Sequence, residues 1–217
     1  MDIGIIGGTG PAGRGLGLRL AAASMSVAIG SRDPTRAAGV VEEMVERWTG
    51  RLGGSLRGLG NAEAAGGKVV VLATPWDAAV RTVAELAEHL DGKVLVSMAN
   101  ALVREGQEMV PLFHPRGSVA AAVQAAVPGA KVAAAFHHLP AREMADLDSG
   151  LVADVLVCAD DPEATAETMS LVERIEGLRP LDAGSLSQAA AIEAFTAVCV
   201  TLNIRHRAHS TLKLAGI

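Results

Sequence analysis

Gly8, Gly10 and Gly13 stand in the segment "DIGIIGGTGPAGRG" at the spacing G-x-G-x-x-G. An apolar run precedes them, and Pro11 opens a helix-like stretch after them. In that context each glycine has its own role. Gly8 permits a tight turn, Gly10 lets the backbone approach a pyrophosphate, and Gly13 lets the helix pack on the strand. The helix N-terminus then turns unpaired N–H groups and the positive end of its dipole toward phosphate oxygens. Thr9 adds a hydroxyl in the same loop. A chain with 24 glycines can produce the pattern by chance. The strand before and the helix after it select a dinucleotide site over an empty Gly-rich turn.

The second strand selects the nucleotide. An NAD site carries an acidic residue about 20 residues beyond the glycines, bonded to the ribose 2′-OH. Here the chain reads "IGSRDPTR", so Ser31 and Arg32 replace the carboxylate and Arg36 follows one helical turn later. A hydroxyl and two guanidinium forks suit a 2′-phosphate. Asp33 is expected to cap the helix that begins at Pro34. The competing reading leaves both arginines merely solvated. Pro75, in "ATPWD", is expected to shape the wall beside the nicotinamide ribose, while Thr74 and Pro75 together also read as an ordinary helix start.

A second informative stretch is "KVAAAFHHLPA". If Val132–His138 is extended, Ala133, Ala135 and His137 share one face, and Phe136 and His138 the other. Two alanines and a histidine at a strand's carboxyl end leave room for a flat ligand with one polar group to orient it. Adjacent histidines also admit a metal reading, but no third ligand of suitable spacing accompanies them and His114 is isolated, so no metal is expected. Arg205, His206, Arg207, His209 and Lys213 concentrate positive charge near the C-terminus. They read either as solvated helix-end charge or as a cationic flank for an anionic substrate or a dimer partner.

These residues need a scaffold that brings strand ends together. Strand-like apolar runs at Ile3–Gly7, Val27–Gly30, Val69–Ala73, Val94–Ser97, Val132–Phe136 and Val155–Cys158 alternate with helix-like stretches at Pro11–Ala23, Pro34–Trp48, Trp76–Leu90, Ser118–Ala126 and Pro162–Ile175. Short continuous runs suit parallel strands buried on both faces. The pattern predicts an α/β, Rossmann-like, doubly wound and mainly parallel sheet. Gly50–Gly60 reads as a linker. From Ser187 to about Leu214 there is no Pro or Gly, which predicts one long helix or a broken pair. The expected division is a nucleotide-binding domain over 1–184 and a small C-terminal helical subdomain over 185–217.

Composition excludes several classes. The net charge is −5, and the chain has no Tyr, three Phe and two Trp, so neither a basic surface nor base-stacking platforms for nucleic acid are expected. No run approaches the roughly 18 consecutive apolar residues of a membrane span. The N-terminus enters a strand without a basic leader, so no signal peptide is expected. Cys158 and Cys199, far apart among apolar residues, suit buried reduced thiols of a cytoplasmic protein.

Taken together, "IGGTGPAGRGLGLRLA", "IGSRD", "ATPW", "FHHLPA", "CADDPEA" and "GLRPLDAGSL" resemble, in this order, the F420-dependent NADP oxidoreductases, also called NADPH:F420 reductases. The resemblance covers essentially the whole chain. It implies a small homodimeric enzyme that passes a hydride between NADP(H) and the deazaflavin coenzyme F420. Carried over by motif, Gly8, Thr9, Gly10 and Gly13 would hold the pyrophosphate, and Ser31, Arg32 and Arg36 the 2′-phosphate. Thr74 and Pro75 would line the nicotinamide end, with His137, Leu139 and Pro140 along the deazaflavin. His137 would position F420 without a covalent role. The alternatives are an NADPH-dependent reductase of a flavin, metal or imine acceptor, and a non-catalytic NADPH-sensing module.

Overall fold

In the computed structural model, which describes residues 2–217, the apolar runs become strands covered on both faces. The first half comprises β1 (Ile3–Ile6), α1 (Pro11–Ala22), β2 (Ser26–Ser31), α2 (Pro34–Arg47), β3 (Ser55–Gly60), α3 (Asn61–Ala64), β4 (Val69–Leu72), α4 (Trp76–Glu85), α5 (Ala87–Leu90) and β5 (Val94–Ser97). Then follow a hairpin of β6 (Leu102–Glu105) and β7 (Glu108–Pro111), α6 (Val119–Ala126) and β8 (Lys131–Ala134). The chain continues through α7 (Ala141–Met144), β9 (Ala153–Ala159), α8 (Pro162–Glu173), β10 (Leu178–Asp182) and α9 (Ala189–His206).

The main sheet has eight strands in the order β10-β9-β8-β5-β4-β1-β2-β3. Neighbours are parallel except β8 and β9, which meet antiparallel at Ala133–Ala159 and Ala134–Cys158. This is the mainly parallel, doubly wound architecture that the alternation predicts. Alternate residues feed two cores: Ile3, Ile5, Val69 and Val71 pack on one face, and Ile6, Val70 and Leu72 on the other. Burial on both faces is why these runs are continuous in sequence. Strand order reverses beside β1 and β4, so their carboxyl ends open a crevice.

Several expectations are corrected. Gly50–Gly60 is not simply a linker, because Ser55–Gly60 pairs with β2 as an edge strand. Its glycines serve close approach: a Cβ on Gly58 would lie 2.3 Å from the Ala37 backbone of α2. Leu178–Asp182 adds a further edge strand, where Pro180 is tolerated. Trp76–Leu90 breaks at Leu86 into α4 and α5. The β8 strand stops at Ala134, because Phe136 adopts a left-handed backbone (φ 65°), so the alternation expected through His138 does not occur. The C-terminal helix ends at His206. Arg207 turns left-handed and the chain returns without helical structure, so no helix reaches Leu214.

Candidate active site

The turn after β1 owes its shape to Gly7, one residue before the motif. Its φ is 67°, and a Cβ there would sit 2.5 Å from Thr74 Cγ2. The Gly7 N–H donates to Asn61 Oδ1 at 3.1 Å, and the Gly8 N–H to the Gly30 carbonyl at 2.9 Å. Gly13 allows α1 to rest on the loop itself, since a Cβ there would meet Gly8 Cα at 2.6 Å. Arg14 Nε steadies the loop by donating to the Thr9 carbonyl at 2.7 Å. Gly10 is the N-cap of α1, and no side chain caps it. The first turn therefore keeps donors available for an anion.

A groove of about 380 Å³ runs past this turn and brings together Thr9, Gly10, Ser31, Arg32, Arg36, Thr74 and Pro75. Gly8 and Gly13 are not among its walls and shape the loop from behind. Asp33 is engaged as expected: Oδ1 accepts the Thr35 and Arg36 N–H groups at 3.0 and 3.3 Å. Its own N–H donates to Ser31 Oγ at 3.1 Å. Arg32 and Arg36 are exposed, and among the described residues neither forms a salt bridge. Two cationic forks thus border the groove where an acidic residue would stand in an NAD site.

His137, Leu139 and Pro140 do not line this groove. They follow the carboxyl end of β8, and β5 separates that strand from β4. His137 and His138 are both buried but differ in bonding. The His138 ring, as its Nε2–H tautomer, donates to the Asp154 carbonyl at 2.7 Å. Neither ring nitrogen of His137 has a partner. Burial, reinforced by neighbouring His138 and opposed by the nearby Met98 backbone, pushes the His137 imidazole down to about 3, so the ring is neutral near pH 7. Thr74 Oγ1, Ser97 Oγ and Asn100 Oδ1 are also buried and unpaired. Such atoms are rare in folded proteins. His137, Thr74, Ser97 and Asn100 stand at or just beyond the carboxyl ends of the neighbouring strands β4, β5 and β8, whereas unpaired Thr168 Oγ1 and Ser210 Oγ lie elsewhere. A ligand with donors and acceptors fits that set.

Behind the His137 turn, α7 is fastened to α1. A Cβ on Gly15 would lie 2.7 Å from Met144 Cβ. Arg19 donates to the carbonyls of Glu143, Met144, Asp146 and Ser149 at 2.5–3.2 Å. The helix after the glycine loop, α1, and the segment after Pro140 are therefore joined by packing and by four hydrogen bonds. Asn61 and Asn100 escape sequence reading because each acts on the backbone of a distant segment.

Among the described residues, no three His, Cys, Asp or Glu side chains are placed to hold a metal. His114 Nδ1 accepts the Arg116 N–H within its own loop. Both cysteines are free and buried, and burial pushes the Cys158 thiol up to about 12. The basic C-terminal stretch is largely paired within the chain. Arg205 meets Glu108, His209 meets Glu143 at 2.8 Å, and Lys213 meets Asp154 at 3.0 Å.

A family model described as NADP oxidoreductase, coenzyme F420-dependent, matches residues 2–101. The F420-dependent NADP reductase of Methanocaldococcus jannaschii is 36% identical over 217 residues, covering 97% of this chain and 96% of its own. That of Methanothermobacter marburgensis is 34% identical over 222 residues, covering 100% and 97%. A crystal structure from Arthrobacter sp. FB24, described as a candidate F420-dependent NADP-reductase, superposes with a TM-score of 0.80 at 28% identity over 99% of both chains. The two sequence matches run nearly end to end, taking in the phosphate loop, the arginine pair and the His137 turn alike, and the chain belongs to the F420-dependent NADP reductase family.

Proposed function

We propose that this chain is an oxidoreductase that passes a hydride between NADP(H) and coenzyme F420. The observation that carries the reading is the presence of two sets of ligand-suited groups at neighbouring strand ends. One is a groove bordered by two exposed guanidinium groups, and the other is the row of unpaired buried polar atoms at the carboxyl ends of β4, β5 and β8. In this reading Gly8, Thr9, Gly10 and Gly13 form the pyrophosphate seat, and Ser31, Arg32 and Arg36 take the 2′-phosphate. Thr74 and Pro75 border the nicotinamide, and His137, Leu139 and Pro140 border the deazaflavin.

When bound, the reduced nicotinamide supplies a hydride from C4 and the deazaflavin receives it at C5. The protein's part is alignment and exclusion of water, which supply most of the rate in a direct transfer. A neutral, buried His137 orients its neighbour by hydrogen bonding, and no side chain need form a covalent bond. Residues 185–217 act as a small helical subdomain completing the F420 side.

The working form is a cytoplasmic homodimer of two such sites, with neither nucleic acid nor membrane as partner. Support for association comes from α9. Leu186–His206 is long and apolar enough by composition to cross a bilayer (mean hydropathy 1.3 over an 18-residue stretch of it), yet it carries buried Glu193 bonded to α6. A second copy covering its outer face accounts for that hydropathy without a membrane.

The test is to mix the protein with NADPH and F420 and follow the absorbance of the oxidised deazaflavin. Loss of that absorbance in step with NADPH oxidation is expected. Tight NADPH binding with unchanged F420 would overturn the reading.

A further inference from the structure

The peptide joining His137 and His138 is tied on both sides. Asn100 Nδ2 donates to the His137 carbonyl at 3.0 Å, and His138 Nε2–H donates to the Asp154 carbonyl at 2.7 Å. The β8–β9 register, run on past Ala134, sets His138 opposite Asp154. The left-handed Phe136 lifts the backbone out of that ladder, and the His138 ring makes the contact the strand does not.

Asp154 in turn belongs to the C-terminal segment. Its N–H donates to the Leu212 carbonyl at 2.8 Å. Its fully buried carboxylate accepts Arg179 Nε and Nη2 at 2.9 and 2.7 Å, Lys213 Nζ at 3.0 Å and the Leu214 N–H at 2.6 Å. Arg179 continues to the carbonyls of Leu214 and Ile217, and Thr211 Oγ1 donates to the Val152 carbonyl. One residue thus joins the end of the chain to the turn that carries His137.

We propose that Asp154 and His138 are positioning residues, and that the C-terminal segment 208–217 is a latch that sets affinity for the second substrate without touching it. The inference rests on the reading of His137 as part of the F420 side. No partner meets the His137 ring nitrogens in full hydrogen-bond geometry, and the Met98 backbone lies beside the ring, so its direction depends on its packing and on the backbone ties on either side of it. Loosening one tie frees the ring to wander, and a mispositioned contact costs affinity. None of the bonds through Asp154 and His138 reaches the nucleotide groove beyond β5, and the segment's tie toward α7 and α1, His209 with Glu143, is left intact in the variants below.

Four full-length variants test this by KM for F420, KM for NADPH, kcat and Tm. His138→Leu removes the donor while keeping buried volume, and His138→Gln restores a donor of similar reach. Lys213→Met loosens the latch at a half-exposed side chain, where misfolding is not expected. His137→Ala tests the underlying site. His138→Leu and Lys213→Met are expected to raise KM for F420 about 3- to 10-fold, the worth of one hydrogen bond. KM for NADPH is expected to stay unchanged, and His138→Gln to return F420 affinity toward wild type. A lower Tm with both KM values unchanged, or an equal rise in both, overturns the latch. If His137→Ala shifts KM for F420 while His138→Leu and Lys213→Met do not, the latch alone fails. If His137→Ala leaves it unchanged, the F420-side reading fails and the latch with it.

Discussion

Arg32 and Arg36 owe their place to an arrangement of three residues rather than to their charge alone. Asp33 between them could have cancelled that charge, but its carboxylate is engaged by the N–H groups that open α2. The forks stay exposed beside the groove. Arg32→Ala should therefore weaken NADPH by about 10- to 100-fold, the worth of a charge-assisted hydrogen bond, while leaving NADH nearly unchanged. Kinetics with both nucleotides check this, and equal loss for both would contradict the assignment. Ser31, Arg32 and Arg36 are legible in the sequence because their offset from the glycine loop is set by one helix, one turn and one strand. Asn61 and Asn100 are not. Each bonds a backbone group 54 or 37 residues away, and nothing local marks such a pairing.

Among the elements, α6 and α9 depend on each other in a way their sequences do not announce. Glu193 is the one acidic residue of α9 and the one charged residue before its last turn, where it reads as the residue that should face water. Instead it is buried and accepts the Val119 and Ala120 N–H groups at 2.9 and 3.0 Å. Ser118 Oγ takes the Ala121 N–H at 2.9 Å, so the first turn of α6 is satisfied by two different elements. Burial raises the Glu193 carboxyl, and the two N–H groups oppose that rise. Glu193→Gln removes the charge that complements the helix dipole and leaves one N–H poorly paired. It should cost about 1–3 kcal/mol in urea unfolding, and a change within about 0.5 kcal/mol would contradict the role. The strands β3 and β10 escape local pattern for a related reason. Glycine in one and proline in the other lower strand propensity, while pairing with β2 and β9 supplies what propensity lacks.

At the scale of the molecule, the outer face of α9 is the feature that a single copy leaves unfinished. Phe195, Val198 and Leu202 are 40%, 50% and 44% exposed and recur at helical spacing along one stripe. No charged side chain other than the inward-facing Glu193 lies between Ala189 and Ile204. A two-fold pairing of such stripes would bury each against its own copy. If the proposed dimer forms through this face, Val198→Glu is expected to shift it to monomer in analytical ultracentrifugation; an unchanged dimer would move the interface elsewhere, and a monomeric wild type would overturn the dimer.

The glycine loop, the arginine pair and the strand–helix alternation follow from residue type and short spacing. Their causes are local: turn sterics, side-chain charge and the short continuous apolar runs of strands buried on both faces. The residues of "KVAAAFHHLPA" mark its histidines as consequential, but the alternation their pattern implies is abolished by the left-handed Phe136. Folding alone decides that His137 is left without a partner, that His138 reaches Asp154, and that Asp154 holds the end of the chain. Those contacts join segments far apart in sequence through side chain–backbone bonds, which have no period and leave no pattern to read.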